Sequence, residues 1–337
     1  MGANEQNNLL EVQNLHTHFH TDSGVVKAVD GISFTLQSGK VLGIVGESGC
    51  GKSIASMSLM RLIPSPPGKI FGDNVSFNGK NLLELSENQM RQIRGNEIAM
   101  IFQEPMTSLN PVYTIGNQLG EAIKLHQGVN KQYIEDKATE VLNLVGIPRP
   151  KEILKEYPHS LSGGMRQRIM IAMAVSCNPS LLIADEPTTA LDVTIQAQIL
   201  ELMKDLIKQL NTSIIFITHD LGVIAEMAEY VLVMYAGKVV EETDIFSLFH
   251  TPRHPYTIGL LNSKPQIDIE EDNLIPIKGT VPNPLNMPEG CSFHPRCDQV
   301  MERCKIEPPK LTEISPGHKV SCWQFSSFTT NSEEVEF

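Results

Sequence analysis

A phosphate-binding loop set between a strand and a helix constrains this chain more than any other feature. Gly46, Glu47, Ser48, Gly49, Cys50, Gly51, Lys52 and Ser53 fit the pattern G-x-x-x-x-G-K-[ST]. The glycines let successive backbone N–H groups turn inward around phosphate oxygens. Lys52 brings a point charge to the β- and γ-phosphates, and Ser53 offers a hydroxyl to Mg²⁺. Upstream, Val41–Val45 is a short apolar run that reads as a buried strand; downstream, residues 54–62 suit a helix that ends before Pro64. Strand, loop, helix is the order in which a helix N-terminus meets an anion. The chain is therefore expected to be α/β.

Further carboxylates extend the pattern. Residues 181–184 are apolar and lead into Asp185 and Glu186. An acid at the end of a buried strand can hold Mg²⁺, directly or through water, and the next carboxylate can polarise an attacking water. The same pair also reads as a helix N-cap after a strand. Residues 213–218 form a β-branched run that ends at His219, where α/β sheets place ligands.

Composition excludes several classes. The formal net charge is −12, from 27 basic and 39 acidic residues, which argues against nucleic acid as the main partner. No uninterrupted apolar run is long enough to span a bilayer. Glu5, Gln6 and Asn7 do not resemble a secretory leader, so a cytosolic chain is expected.

Along the chain, residues 28–37 alternate, with Ile32, Phe34 and Leu36 on one face, as in a half-buried antiparallel strand. Residues of about 87–178 read as helix-rich. Ile134, Ala138, Val141, Leu142 and Val145 make one apolar stripe, and Met165, Ile169, Met170, Met173 and Ala174 a second, both read as core. Residues 194–210 repeat the period with Ile199, Met203, Leu206 and Leu210. After His250 the chain changes character: 11 of its 21 prolines and four of its six cysteines fall there. The expected division is a nucleotide-binding domain over 1–250 and a small loop-rich extension over 251–337, with a frayed tail at 332–337. His16, His18 and His20 share one strand face; with no carboxylate or cysteine in register nearby, they read as a solvated face rather than a metal site.

Leu161, Ser162, Gly163, Gly164, Met165, Arg166, Gln167 and Arg168 resemble the signature motif of ATP-binding cassette (ABC) ATPases, and they lie between the phosphate loop and Asp185 as that family requires. The resemblance spans about residues 9–250 and implies an ABC ATPase core with an N-terminal antiparallel β subdomain and a helical subdomain. It implies roles residue by residue. Gln103 is similar to the Q-loop glutamine, residues 189–192 with Asp192 to the D-loop, and His219 to the switch histidine. Phe19 resembles the aromatic that stacks on adenine, though it also reads as a core strand residue. Ser53, Gln103 and Asp185 are the implied Mg²⁺ contacts; Glu186 orients the attacking water. Ser162, Gly163 and Gly164 are implied to touch ATP on an opposite, homologous subunit. Two other classes of ABC ATPase are opposed by the residues. DNA-end and ribosome versions carry inserted coiled coils or two cassettes, and a non-hydrolysing cassette would not keep Glu186 and His219.

The tail narrows the resemblance. Arg253 to Thr257, Gly279 to Pro282, Pro288 to Cys291 and Pro295 to Cys297 resemble segments of the ATP-binding subunits of bacterial oligopeptide or dipeptide permeases, as do residues 101–111. Nickel and other small-solute permeases share much of this pattern. Lys40 departs from it, since such sequences usually carry Glu there. The resemblance implies a second homologous ABC ATPase subunit, two transmembrane permease subunits, an extracytoplasmic peptide-binding protein, and a peripheral place on the cytoplasmic face of the membrane. Cys291, Cys297, Cys304 and Cys322 are spaced C-x5-C-x6-C-x17-C. Four thiolates can hold Zn²⁺ or an iron–sulfur cluster, and they can equally remain free thiols. Similarity to the cysteine-bearing tail of peptide-permease ATPases favours a [4Fe–4S] cluster that folds residues 280–323.

Overall fold

The computed structural model describes residues 8–103, 108–128, 130–189, 191–263 and 276–325. Residues 5–7, 104–107, Ala190 and residues 332–337, on which some of the expectations above rest, lie outside the described residues. The chain forms two compact units, each assembled from separate stretches: Met1–Leu10, Thr35–Val41 and Ser76–Ile217 in one, and Glu11–Phe34, Leu42–Val75 and Thr218–Phe337 in the other. The strands, in chain order, are β1 (Asn8–Thr21), β2 (Gly24–Gln37), β3 (Val41–Val45), β4 (Gly68–Phe71), β5 (Asn74–Phe77), β6 (Lys80–Asn81), β7 (Ile98–Ile101), β8 (Leu181–Asp185), β9 (Ser213–Ile217), β10 (Tyr230–Tyr235), β11 (Lys238–Asp244), β12 (Thr312–Ser315) and β13 (His318–Val320).

In the first unit β7, β8 and β9 pair in parallel, with Ile101 opposite Ala184 and Asp185 opposite Ile217. Every residue of β8 and β9 is buried, which is why both read as continuous apolar runs rather than alternating ones. The Lys131–Leu144 helix buries Ala138, Val141 and Leu142, as its stripe predicts. The Gly163–Val175 helix departs from its expected single stripe. It buries Ile169, Met170 and Ala174, but also Gln167, Ile171, Ala172 and Val175, while Met165 and Met173 are half-buried. A helix enclosed on most sides needs no polar face, so the 3.6 period blurs. Start signals are explicit: Ser86 forms a capping box with Gln89, and Thr114, Asn130, Ser162 and Asp192 each accept an N–H from the first turn.

In the second unit β1 runs antiparallel to β4, with His16 opposite Phe71 and His18 opposite Lys69. β3 lies parallel to β10, which pairs antiparallel with β11. β2 begins at Gly24, earlier than its alternation predicts, with Ile32 and Phe34 buried. The helix after the phosphate loop, Lys52–Leu59, is shorter than predicted because Arg61 turns left-handed at φ 50°. The region after His250 is loop-rich around its cysteines yet also adds to the sheet: β13 pairs with β11 and β12 with β13. Fully buried Glu241 of β11 anchors it, accepting the N–H groups of Arg253 (2.8 Å) and His254 (2.9 Å) and lying 2.8 Å from His318 Nε2. The expectation that no carboxylate lies beside the β1 histidines is overturned. Antiparallel pairing brings Asp30 of β2 beside His16 and His18, a carboxylate that residue numbers alone keep far away. Among the described residues no helix is long and apolar enough to cross a membrane.

Candidate active site

The phosphate loop leaves β3 with Gly46 at φ 152°, Gly49 at 79° and Gly51 at 103°. Space excludes side chains as well: a Cβ on Gly46 would stand 2.3 Å from the Met234 carbonyl oxygen, and one on Gly51 2.3 Å from that of Ala28. Lys52 is 5% exposed, and its ammonium donates to the carbonyl oxygens of Gly46 (2.8 Å) and Glu47 (3.1 Å), inside the curl of the loop. The Lys52–Leu59 helix starts at Gly51 with no side-chain cap, the arrangement in which helix N–H groups receive an anion. Ser48 and Gly49 form the exposed tip. Cys50 is buried, and burial raises its thiol above the usual range, so it packs rather than reacts.

Two residues of the C-terminal region hold this loop, and the sequence carried no signal for that contact. The buried Tyr256 hydroxyl accepts the Glu47 N–H at 2.8 Å. Arg296 donates to both Glu47 carboxylate oxygens, at 2.7 and 3.0 Å, and through Nε to the Lys278 carbonyl at 2.8 Å. Its guanidinium lies about the rings of Tyr235 and Phe293. The hydrogen bonds to Glu47 hold the Arg296 guanidinium even more firmly protonated than usual.

In the other unit Asp185 closes β8 and is 4% exposed. Glu186 follows at φ 49°, a conformation costly for a non-glycine residue; its N–H donates to the Ile217 carbonyl at 2.8 Å. Glu186 Oε2 accepts from Gln103 Nε2 at 3.0 Å and from Thr189 Oγ1 at 2.9 Å. Gln167, buried in the signature helix, donates to the Pro187 carbonyl. Gln103, Glu186, Thr189 and Gln167 thus brace one short segment, though neither Thr189 nor Gln167 stood out singly in the sequence.

The remaining candidates occupy separate positions. Ser162 caps the Gly163–Val175 helix, accepting the Met165 N–H at 3.3 Å. Ser162 and Gly163 are exposed, and a Cβ on Gly163 would meet nothing within 4 Å, so packing within the chain does not demand glycine there. A Cβ on Gly164 would stand 3.3 Å from Ile195. Asp192 caps the Val193–Leu210 helix through the Ile195 N–H. His219 is exposed immediately beyond Thr218. Phe19 is half-buried, its ring edge over Gly68. All six cysteines are free thiols. Cys291, Cys297, Cys304 and Cys322 line one small cavity, and burial raises the thiols of Cys291, Cys297 and Cys322, the last to about 11. No three of their sulfurs lie mutually within 4.8 Å. A tetrahedral zinc holds its sulfurs about 3.8 Å apart. The four sulfurs are therefore not gathered at zinc-site spacing, and nothing in their geometry alone identifies a cluster.

Fold and loop define a P-loop α/β nucleotide-binding protein. Residues 29–189 match the ABC transporter family, and residues 240–304 match the oligopeptide/dipeptide transporter C-terminal region. The chain is 54% identical over 317 residues to the oligopeptide transport ATP-binding protein AppD of Bacillus subtilis (strain 168), covering 94% of this chain and 97% of that protein. It is 50% identical over 314 residues to the dipeptide transport ATP-binding protein DppD of Escherichia coli (strain K12), covering 93% and 96%. Among solved structures, the dimeric post-hydrolysis state of the ATP-binding cassette MJ0796 bound to ADP and Pi superposes with a TM-score of 0.62 at 24% identity, covering 70% of this chain and 98% of that one, a likeness of fold. The chain belongs to the ABC transporter family, among its oligopeptide and dipeptide transport ATP-binding proteins.

Proposed function

We propose that this chain is the ATP-hydrolysing subunit that powers import of oligopeptides or dipeptides through a membrane ABC permease. The observation that carries the reading is end-to-end likeness to peptide-transport ATP-binding proteins, including the C-terminal region outside the cassette. Residues 1–250 form the nucleotide-binding domain, with its helical subdomain at about 87–178, and residues 251–337 the extension.

In this reading Lys52 and the N–H groups of residues 46–53 grip the triphosphate of ATP. Ser53, Gln103 and Asp185 are the residues that would hold Mg²⁺, which neutralises phosphate charge when bound. Glu186 orients or deprotonates the attacking water, with its Oε2 positioned by Gln103 and Thr189. His219 stabilises charge near the γ-phosphate, and Phe19 stacks on adenine. Ser162, Gly163 and Gly164 reach ATP bound to a second, homologous cassette; the exposure of Ser162 and the open space at Gly163 support this.

The segment after Gln103 meets a cytoplasmic helix of one of two transmembrane permease subunits, which keeps the chain peripheral on the cytoplasmic face. Exposed Val112 and Tyr113, with Tyr113 lining a groove of about 830 Å³ beside Asn117, Lys124 and Glu135, support a docking surface here. An extracytoplasmic peptide-binding protein supplies the solute. Cys291, Cys297, Cys304 and Cys322 hold a [4Fe–4S] cluster, with Zn²⁺ as the alternative ligand. Their convergence on one cavity supports a shared ligand. The test is ATP-driven uptake in vesicles carrying the chain with its copurified membrane partners. Uptake of dipeptides or oligopeptides that Lys52→Ala abolishes is expected; uptake of Ni²⁺ but no peptide overturns the peptide reading.

A further inference from the structure

We propose that His16, His18 and Asp30 form a binding site for a divalent transition-metal ion of the Zn²⁺, Co²⁺ or Ni²⁺ kind, separate from the nucleotide chemistry. His16 and His18 stand two residues apart on β1 and so share a face. Among the described residues theirs is the one His, Cys, Asp and Glu group whose three ligand atoms all lie within 4.8 Å of one another. Asp30 Oδ1 is 3.2 Å from His16 Nδ1 and 3.7 Å from His18 Nε2. A tetrahedral ion with N and O ligands at about 2.0–2.2 Å spaces those atoms roughly 3.3–3.6 Å apart. The two observed separations bracket that edge.

Hydrogen bonding points the same way. His16 Nε2 lies 2.9 Å from Asn14 Oδ1, which engages the ring nitrogen on the side away from Asp30 and leaves Nδ1 facing the carboxylate. His18 Nε2 is shut off from solvent and has no hydrogen-bond partner, a costly state for a buried ring nitrogen. One ion satisfies all three atoms and leaves a fourth position for water.

The surroundings resemble the outer shell of a metal site. Asn14 orients His16, and Lys238 Nζ stands 3.4 Å from the other Asp30 oxygen. Phe71 stacks on His16 (4.8 Å, 3° between planes) and meets His18 edge-on (4.9 Å, 89°), which fixes both rings. Gly31, at φ 79°, leaves the room: a Cβ there would stand 3.1 Å from Asn14 Oδ1 and 3.4 Å from His16 Cε1. Two imidazoles select a borderline ion over Mg²⁺, which prefers oxygen. The Lys238 charge weakens binding relative to a structural zinc site, so an exchangeable ion is assigned. Bound, it would tie β1 to β2 one residue before Phe19.

The test is titration of the untagged, chelator-treated full chain with Co²⁺. One equivalent should give visible d–d absorption without the ultraviolet thiolate-to-cobalt band that cysteine ligands produce. His18→Gln and Asp30→Asn should each weaken this binding about tenfold or more. His20→Gln, exposed on the same strand, should leave it unchanged. Urea midpoints without metal establish that the variants fold; should one fail, the other carries the comparison. The proposal is overturned if the wild-type chain shows no such band or only the thiolate band. It is equally overturned if a folded His18→Gln or Asp30→Asn binds as wild type, or if His20→Gln loses binding alike.

Discussion

Arg296 reaches back across 249 residues of sequence to grip both carboxylate oxygens of Glu47, inside the phosphate loop. The Arg296 side chain is 4% exposed and Glu47 30%, so the pair is only partly screened by water. With the Tyr256 hydroxyl on the Glu47 N–H, the C-terminal region holds the loop by both backbone and side chain. The phosphate loop and the C-terminal region are thus joined by direct hydrogen bonds.

The first prediction follows from that pairing. Arg296→Ala frees the loop, which ATP must then order, so nucleotide affinity should fall by about tenfold, the worth of a charged hydrogen bond. Arg296→Lys keeps the charge but not the two-pronged grip and should recover only part. Fluorescent-nucleotide titration reads both; a double-mutant cycle with Glu47→Gln should show coupling, and additive effects would refute it.

Glu186→Gln keeps the shape of the side chain, and Gln103 and Thr189 can still meet its remaining oxygen. ATP binding should persist while turnover in the assembled complex falls about a hundredfold or more, as for loss of a general base. A near-normal rate would remove Glu186 from its assigned role.

Ser162→Arg tests whether the signature serves a partner's nucleotide. The helix loses a cap worth about 1 kcal/mol, too little to unfold the unit. The isolated variant should bind ATP as wild type, whereas vesicle uptake should stop. Weak primary binding in a folded variant would contradict the shared-site arrangement.

For the cysteines, protein purified without oxygen should be brown and contain iron. Stoichiometric zinc in colourless protein would replace the cluster but keep a metal staple, and absence of both metals would leave ordinary thiols.

Glu241 sets an acid limit on stability. Burial alone would raise its carboxyl, but hydrogen bonds from His318 and the N–H groups of His254 and Arg253 outweigh burial and hold it below the usual carboxylate range. The unfolded chain therefore binds this proton first as pH falls, and stability present above about pH 4.5 is lost below it. Glu241→Gln should flatten that acid loss and cost about 2 kcal/mol or more near neutrality, because the N–H groups lose a charged acceptor. Urea denaturation of both proteins at pH 7 and pH 4 checks the sign.

What the sequence by itself determined is local chemistry. The loop Gly46 to Ser53, the apolar runs that lead into Asp185 and His219 and the stripe of the Lys131–Leu144 helix were all legible. Each is set by contiguous residue types, by backbone conformations only glycine tolerates, or by a short repeat of apolar positions. Tertiary structure alone decided which distant residues meet. It placed Asp30 beside His16 and His18, because antiparallel pairing converts fourteen positions of separation into contact. It buried Gln167 in a helix too enclosed to show a polar face, and set β13 beside β11 at Glu241 and Glu242. Above all it put Arg296 on Glu47. Neither residue's neighbours in sequence announce that pairing, since an ion pair across 249 positions is a property of the tertiary fold and not of either segment.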